Sequence, residues 1–314
     1  MRSGGAGSPP AELTIPLAGV LMKSPGTCPP GFTYIRDSYK TLVVREDYAE
    51  VLLQQGIDNP DRLRALCRDS AARYSGRGAT PAIPIDGRPP ERMILRPYRR
   101  GGLLRFLVRD LYWGDRRPLN ELFVGAAALQ AGIPTAAVLA AVAFKAAGPL
   151  RRCYLITREL AGCRDLLSFL SSARAETEEE AFRNKRALLA RVARAVRAMH
   201  DQGFYHGDLN LKNILIDAEQ QTIYIIDWDK SPSQENISSA QRSSNMVRCC
   251  RSMEKLREQG LPLTERDQLF FLESYWGKDT GIKKRLRKDF MRMRLFLRLR
   301  KLRWSMERVL GSQE

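Results

Sequence analysis

"HGDLNLKNILIDAEQQTIYIIDWDKS", His206 to Ser231, is the stretch on which the reading of this chain turns. It sets Asp208 first, Asn213 five positions on, and Asp227 fourteen positions after that. Two apolar runs, "ILID" and "IYIID", lie between Asn213 and Asp227, split by the polar turn Ala218 to Gln221. Short apolar runs around a polar turn form a β-hairpin. A hairpin returns the chain, so Asn213 and Asp227 meet at one end of it. Any one of these residues alone would be an ordinary turn residue. Their order, both spacings and the hairpin together fit phosphoryl transfer. That reaction needs a carboxylate for the attacking hydroxyl, oxygen ligands for Mg²⁺, a cation for the phosphates and a loop over the nucleotide. An Asn carbonyl with one or two carboxylates suits the hard, octahedral Mg²⁺ ion.

Upstream of this stretch lies the clearest helix in the chain. Thr177 and Glu180 form a candidate capping box. Phe182, Leu189, Val192, Val196 and Met199 follow at helical spacing on one face, and Gly203 is a stop signal. Further upstream, "YKTLVVRE" (Tyr39 to Glu46) has the pattern of a strand, followed by helices near 46–55 and 60–72. Ser75 to Gly102 gives a Gly-rich turn with flanking strands, with turn residues at Asp86 and Gly87 before the apolar "MILR". "RPLNELFVGAAALQAG" is a helix ending at Gly132, and "CYLITREL" (Cys153 to Leu160) is a buried strand. Strands, a helix, more strands and then a mostly helical half make an α+β chain. It divides into a loose tail (1–30), a small mixed N-lobe (31–160) and an α-rich C-lobe (161–314).

Three further positions extend the site. "GRG", Gly76 to Gly78, is a turn suited to cover phosphates, although Pro81 stands where a third glycine would complete the pattern. Arg96 occupies the strand position at which a kinase carries its phosphate-binding Lys. Arg is a permanent, bidentate cation and can pair with phosphate. Glu121, on the next helix, is its natural partner.

Composition narrows the remaining classes. The chain has 314 residues, 44% hydrophobic, enough for a sizeable core. Six cysteines form no C-x-x-C, and there are two histidines, which argues against a zinc site or a disulfide framework. No apolar signal-peptide core follows "MRSGGAGSPPAEL". The most apolar run, Phe123 to Phe144, is Ala-rich and broken by Gln130 and Pro134, so it is expected in a soluble core. The net charge of +17 calls for an acidic partner. Nucleic acid would leave the His206–Ser231 stretch unexplained, and no nucleic-acid motif is present.

With those motifs in hand, the chain resembles the lipopolysaccharide kinases, and within them the 3-deoxy-D-manno-octulosonic acid (Kdo) kinases. The resemblance runs from about Gly76 to Glu254. It is carried by "GRG", "LRPYRRGGL" (Leu95 to Leu103), "RDLYW" (Arg109 to Trp113), "RPLNE" with Glu121, "AGIPT" (Ala131 to Thr135), "HGDLNLKNIL", "IDWDKS" and "NMVRCCRSMEKL". It implies a protein-kinase-like two-lobed fold and the use of ATP with Mg²⁺. The acceptor it implies is a hydroxyl, the 4-hydroxyl in the family, of Kdo linked to a lipid A precursor. It also implies roles. Asp208 would be the base, with Asn210 orienting it or the substrate. Asn213 and Asp227 would be metal ligands, with Asp229 a further acidic group beside them. Gly76, Gly78, Arg96 and Glu121 would serve the nucleotide. Gly207 departs from the Ala more usual in the family, a change expected to be harmless. Pro97 removes a ladder donor and marks a strand end or edge. A heptose kinase, another small-molecule phosphotransferase and a silent pseudokinase remain as alternatives, and the oligomeric state is open.

The resemblance does not cover the basic C-terminal segment. Gly281 to Arg303 holds eleven Lys or Arg against Asp289 alone, a net +10. As a helix it carries two apolar stripes: Leu286, Phe290, Met293 and Leu297, and Leu295, Leu299, Leu302 and Met306. One expectation is an interfacial helix on the anionic cytoplasmic face of the inner membrane. The other is a last helix packed into the C-lobe.

Overall fold

The computed structural model describes residues 28–70, 73–74, 80–99, 110–172, 177–217, 219–232 and 236–310, and for 73–74 and 300–310 the backbone alone. Gly76, Gly78 and the tail before Cys28 lie outside the described residues. The first half of the chain builds β1 (Phe32–Arg36), β2 (Lys40–Arg45), α1 (Glu46–Gln54), α2 (Pro60–Asp69), β3 (Arg73–Tyr74), β4 (Thr80–Pro84), β5 (Arg92–Pro97), β6 (Leu111–Trp113), α3 (Arg116–Gln130), β7 (Val138–Ala147) and β8 (Leu150–Arg158). These strands form one antiparallel sheet in the order β1-β2-β7-β8-β5-β4-β3, with β6 also pairing β8.

Strand β7 explains the most apolar run in the sequence. Val138 to Phe144 are all buried, because both faces of the sheet are covered. Side chains alternate across a strand. Ala140 and Val142 therefore pack with Leu42, Val44, Tyr48, Leu52 and Leu63 on the α1–α2 side. Ala141 and Ala143 pack with Leu119, Leu122 and Phe123 of α3 on the other. The turn at Pro134 joins α3 to β7, so the apolar run is a helix end plus a central strand. Pro97 is the last residue of β5, where its missing N–H costs no ladder bond.

The second half continues with β9 (Arg164–Asp165), α4 (Leu166–Ser172), α5 (Glu178–Asp201), a 3-10 turn (Leu211–Asn213), β10 (Ile214–Ile216), β11 (Ile223–Ile225), α6 (Ser239–Glu258), α7 (Glu265–Trp276) and α8 (Thr280–Leu310). Thr177 caps α5 through Glu180 N–H. Leu189, Val192, Val196 and Met199 of α5 are fully buried among Trp228, Met246, Cys249 and Cys250. Phe182 departs from the expected face. It is 45% exposed, because the first turns of α5 extend past the core, and it stacks under Arg186 instead.

Helix α8 packs one of its two stripes into the C-lobe, as the second expectation had it. Leu286, Phe290, Met293 and Leu297 are buried in the C-lobe core, so this stripe belongs to the fold. Ser243 of α6 donates to Asp289 and Arg294 pairs with Glu265 of α7, which fixes the helix rotation. Met291, Leu295, Phe296 and Leu299 therefore point away and are more than half exposed. No helix among the described residues is long and apolar enough to cross a membrane.

Candidate active site

The hairpin read from the sequence is β10–β11, paired Ile214 to Ile225. Asp217 closes its turn by accepting from the N–H groups of Glu219 and Gln220. At the other end Ile226 N–H donates to the Asn213 carbonyl at 2.9 Å, which brings Asn213 beside Asp227. Asp227 adopts φ 69° and Lys230 φ 63°, left-handed conformations that few non-glycine residues take. These two bends turn the chain sharply around Trp228 and Asp229. Trp228 is buried and donates to Thr135 Oγ1 at 2.9 Å, anchoring the segment under α3.

His206 locks the catalytic-loop segment to β11. Its Nε2 faces the Ile226 carbonyl at 3.0 Å, and its Nδ1 faces the Asp208 N–H at 3.2 Å. A carbonyl only accepts and an N–H only donates, so Nε2 carries the single proton and the ring is neutral. Burial pushes its pKa down, in keeping with that state. Asn245 of α6 holds the same segment, accepting from His206 N–H at 3.2 Å and donating to His206 O at 2.8 Å. It also accepts from His200 Nε2 at 3.0 Å.

Around Asp208, the amides of Asn210 and Asn213 both donate to its backbone carbonyl at 2.9 Å. Asn210 also accepts from Lys212 N–H, so its side chain braces the loop with both polar atoms. Asn213 Oδ1 is left as the amide acceptor without a partner among the described residues. The Asp208 carboxylate is half-exposed, and Arg248 Nη1 lies 3.5 Å from its Oδ1.

The N-lobe contributes the opposite wall. Arg96, on β5, donates through Nη2 to Glu121 of α3 and through Nη1 to Asp227 at 2.9 Å. One guanidinium thus ties the sheet, α3 and the acidic end of the hairpin together. Glu121 is 2% exposed, and Tyr98 hydroxyl donates to its second oxygen. Burial raises the Glu121 pKa, with Arg96 opposing the rise. For Arg96, burial works against the charge, but Glu121, Tyr98 and Asp227 outweigh it and the pKa rises. Asp229, two residues beyond Asp227, is partly buried in an ion pair of its own. Arg117 of α3 grips both its carboxylate oxygens, Nε to Oδ1 at 2.7 Å and Nη2 to Oδ2. Its pKa falls because that pairing outweighs burial.

The structure thus links Asp208, Asn210 and Asn213 within the loop and Asp227, Arg96 and Glu121 in a second set, the two meeting where Ile226 N–H donates to the Asn213 carbonyl, while Asp229 pairs with Arg117. Sequence reading missed Arg117, Tyr98, Asn245 and Arg248. Arg117 lay within "RRPLNE", and Arg248 within "NMVRCC", but nothing in those runs told which side chain turns inward.

A family model described as "Lipopolysaccharide kinase (Kdo/WaaP) family" matches residues 86–275, more than half of the chain. The chain belongs to the lipopolysaccharide kinase (Kdo/WaaP) family. A 3-deoxy-D-manno-octulosonic acid kinase of Vibrio vulnificus is 33% identical over 190 residues, 57% of this chain and 75% of that protein. One of Vibrio cholerae is 34% identical over 185 residues, 58% of this chain and 72% of that protein. The solved structure "WaaP in complex with acyl carrier protein" aligns with TM-score 0.52 at 21% identity, covering 80% of this chain and 98% of that one. That likeness supports the protein-kinase-like fold. The family membership makes the chain a phosphotransferase of sugar hydroxyls that uses ATP.

Proposed function

We propose that this chain moves the γ-phosphoryl group of ATP to a hydroxyl of Kdo on a lipid A precursor, the 4-hydroxyl by family expectation. The observation that carries the reading is the convergence of Asp208, Asn213 and Asp227 opposite the Arg96–Glu121 pair. The relatives that are Kdo kinases support the choice of acceptor.

In this reading Asp208 accepts the proton of the attacking hydroxyl. The carbonyl bonds from Asn210 and Asn213 keep its loop in register, so the carboxylate meets the acceptor at a fixed position. Arg96 turns from Asp227 to the nucleotide phosphates and keeps Glu121 as its anchor. Gly76 and Gly78 would cover those phosphates. Asn213 Oδ1 and the Asp227 carboxylate fit Mg²⁺, because both are hard oxygen donors and the ion takes the rest of its shell from waters and phosphates. The described residues hold no group of three or more His, Cys, Asp or Glu able to bind a metal by itself. That suits an ion shared with the nucleotide, whose chemistry is to neutralise phosphate charge. Ligation by Asp229 would require Arg117 to release one of its oxygens.

Incubation with labelled ATP, Mg²⁺ and Kdo-bearing lipid A precursor should yield a phosphorylated lipid by mass spectrometry. No transfer there, with transfer to a heptosylated core, would replace this reading by a heptose kinase.

The outer stripe of α8 supports a position on the anionic inner-membrane surface. Met291, Leu295, Phe296 and Leu299 are exposed beside Arg287, Lys288, Arg292 and Arg298. Apolar side chains between cations are the pattern of an interfacial helix. Leu295→Glu with Phe296→Glu should leave the melting temperature unchanged and abolish co-sedimentation with anionic vesicles. Undiminished sedimentation of that variant would sink the idea. Lost binding to an acidic carrier protein with vesicle binding intact would assign the face to a protein partner instead.

A further inference from the structure

Helix α6 brings one cation to the carboxylate proposed as the base. Arg248 Nη1 donates to the Gly207 carbonyl and lies 3.5 Å from Asp208 Oδ1. The side chain is 36% exposed. Among the described residues its Nε and Nη2 have no hydrogen-bond partner. Arg248, a permanent cation with no acceptor atom, cannot itself take the proton of the hydroxyl. Nor does it serve the nucleotide, whose proposed cation, Arg96, comes from the N-lobe and meets Asp227 instead.

The chain itself illustrates what the free edge of such a guanidinium can do. Arg117 grips Asp229 through the same Nε and Nη2 pair. A carboxylate held in this fork gains two parallel charge-assisted bonds. We propose that Arg248 forms the acceptor-carboxylate subsite: its Nε and Nη2 bind the carboxylate of the acidic sugar while Asp208 receives the proton of the sugar hydroxyl. This rests on the reading of Kdo as acceptor and adds what reads it out. Arg248 Nη1 and Asp208 Oδ1 lie 3.5 Å apart, so a single sugar can touch both side chains. The substrate carboxylate also offsets the guanidinium charge beside the base. A neutral sugar such as a heptose offers nothing to that fork and would leave a partly buried cation half-satisfied. Rejection of a ligand that leaves site groups unpaired is the stronger kind of specificity.

The test pairs a change in the protein with a change in the acceptor. Transfer is measured to Kdo-bearing lipid A precursor and to its carboxyl methyl ester, with the wild type, Arg248→Gln and Arg248→Lys. The wild type should prefer the free acid by about tenfold to a hundredfold in kcat/KM, the size of a charge-assisted bond. The difference should fall on the acceptor KM, with the KM for ATP unchanged. Arg248→Gln should lower the free-acid value to that of the ester, and Arg248→Lys should keep part of the preference. A wild type indifferent to esterification overturns the subsite, and that comparison needs no variant to fold. So does an Arg248→Gln variant that loses both acceptors equally, which is the signature of a brace on the Gly207 carbonyl. No transfer by the wild type to either Kdo acceptor has a different meaning, since it removes the proposed function together with the subsite.

Discussion

At position 207 the loop passes directly against the Asp227–Ser231 segment. A β-carbon on Gly207 would overlap the Lys230 carbonyl and sit 2.9 Å from Ser231 N. Both are backbone, so neither can swing away. The alanine expected to be equivalent from sequence is therefore not so on this backbone. Gly207→Ala should cost about 1–3 kcal/mol of stability, as overpacking does, measured by urea denaturation. It should also displace Asp208, its neighbour, and reduce turnover. An unchanged midpoint would mean that Lys230, already at positive φ, moves without penalty. Asp208→Asn tests the chemistry without that steric effect. It keeps shape but cannot accept a proton, so kcat should fall by roughly 10²–10⁴-fold while the melting temperature holds. A near-normal rate would refute the role of Asp208.

Helix α8 shows how one element can serve two surroundings. Its sequence shows two apolar stripes but not which of them faces the core. Contacts with α6 and α7 choose the rotation, through Asp289 with Ser243 and Arg294 with Glu265. The inner stripe then carries stability and the outer one does not. Phe290→Ala should destabilise the protein by about 3–5 kcal/mol. Leu295→Ala should stay within about 0.5 kcal/mol, as surface changes do. Thermal or chemical unfolding of the pair decides this, and equal effects would mean that the helix is rotated. Element α5 carries the same lesson in reverse. Its spacing identified the buried face from Leu189 to Met199, but Phe182 lies beyond the core, half-exposed under Arg186.

Across the whole molecule, the two halves meet through partly buried polar groups as well as apolar contacts. Arg96 bridges the sheet to the hairpin, and Asn120 of α3 donates to Ser231 O at 2.9 Å. In the C-lobe, His200 joins three helices: it sits on α5, accepts from Tyr275 of α7 at 2.6 Å and donates to Asn245 of α6. Burial pushes its pKa down to about 4 from 6.5. The folded state thus resists a proton that the unfolded chain accepts. Stability is full above pH 6.5 and is lost as pH falls from there toward 4, by on the order of 3 kcal/mol from this group. Buried His206, with its pKa also lowered, acts in the same direction. Denaturation midpoints measured from pH 7.5 to 4 should show the loss, and His200→Gln should flatten it. An equal slope in that variant would move the cause elsewhere.

Spacing along the chain was enough for the hairpin, the helices α3 and α5, and the cluster of Asp208, Asn213 and Asp227. These depend on local periodicity and on a short return of the chain, both written in consecutive residues. Arg96 and Glu121 were also legible, because a strand followed by a helix leaves few ways for the two to meet. The rest required the fold. That Arg117 takes both oxygens of Asp229 depends on how α3 lies over the turn after β11, a contact across 112 positions of sequence. Arg248 reaches Asp208 because α6 packs beneath the loop, and the necessity of Gly207 arises from a carbonyl 23 residues away. Sequence determined which polar groups the proposed phosphoryl-transfer site can draw on. Tertiary structure decided which of them are free and which are already paired, because pairing between distant segments is set by packing geometry that no local pattern encodes.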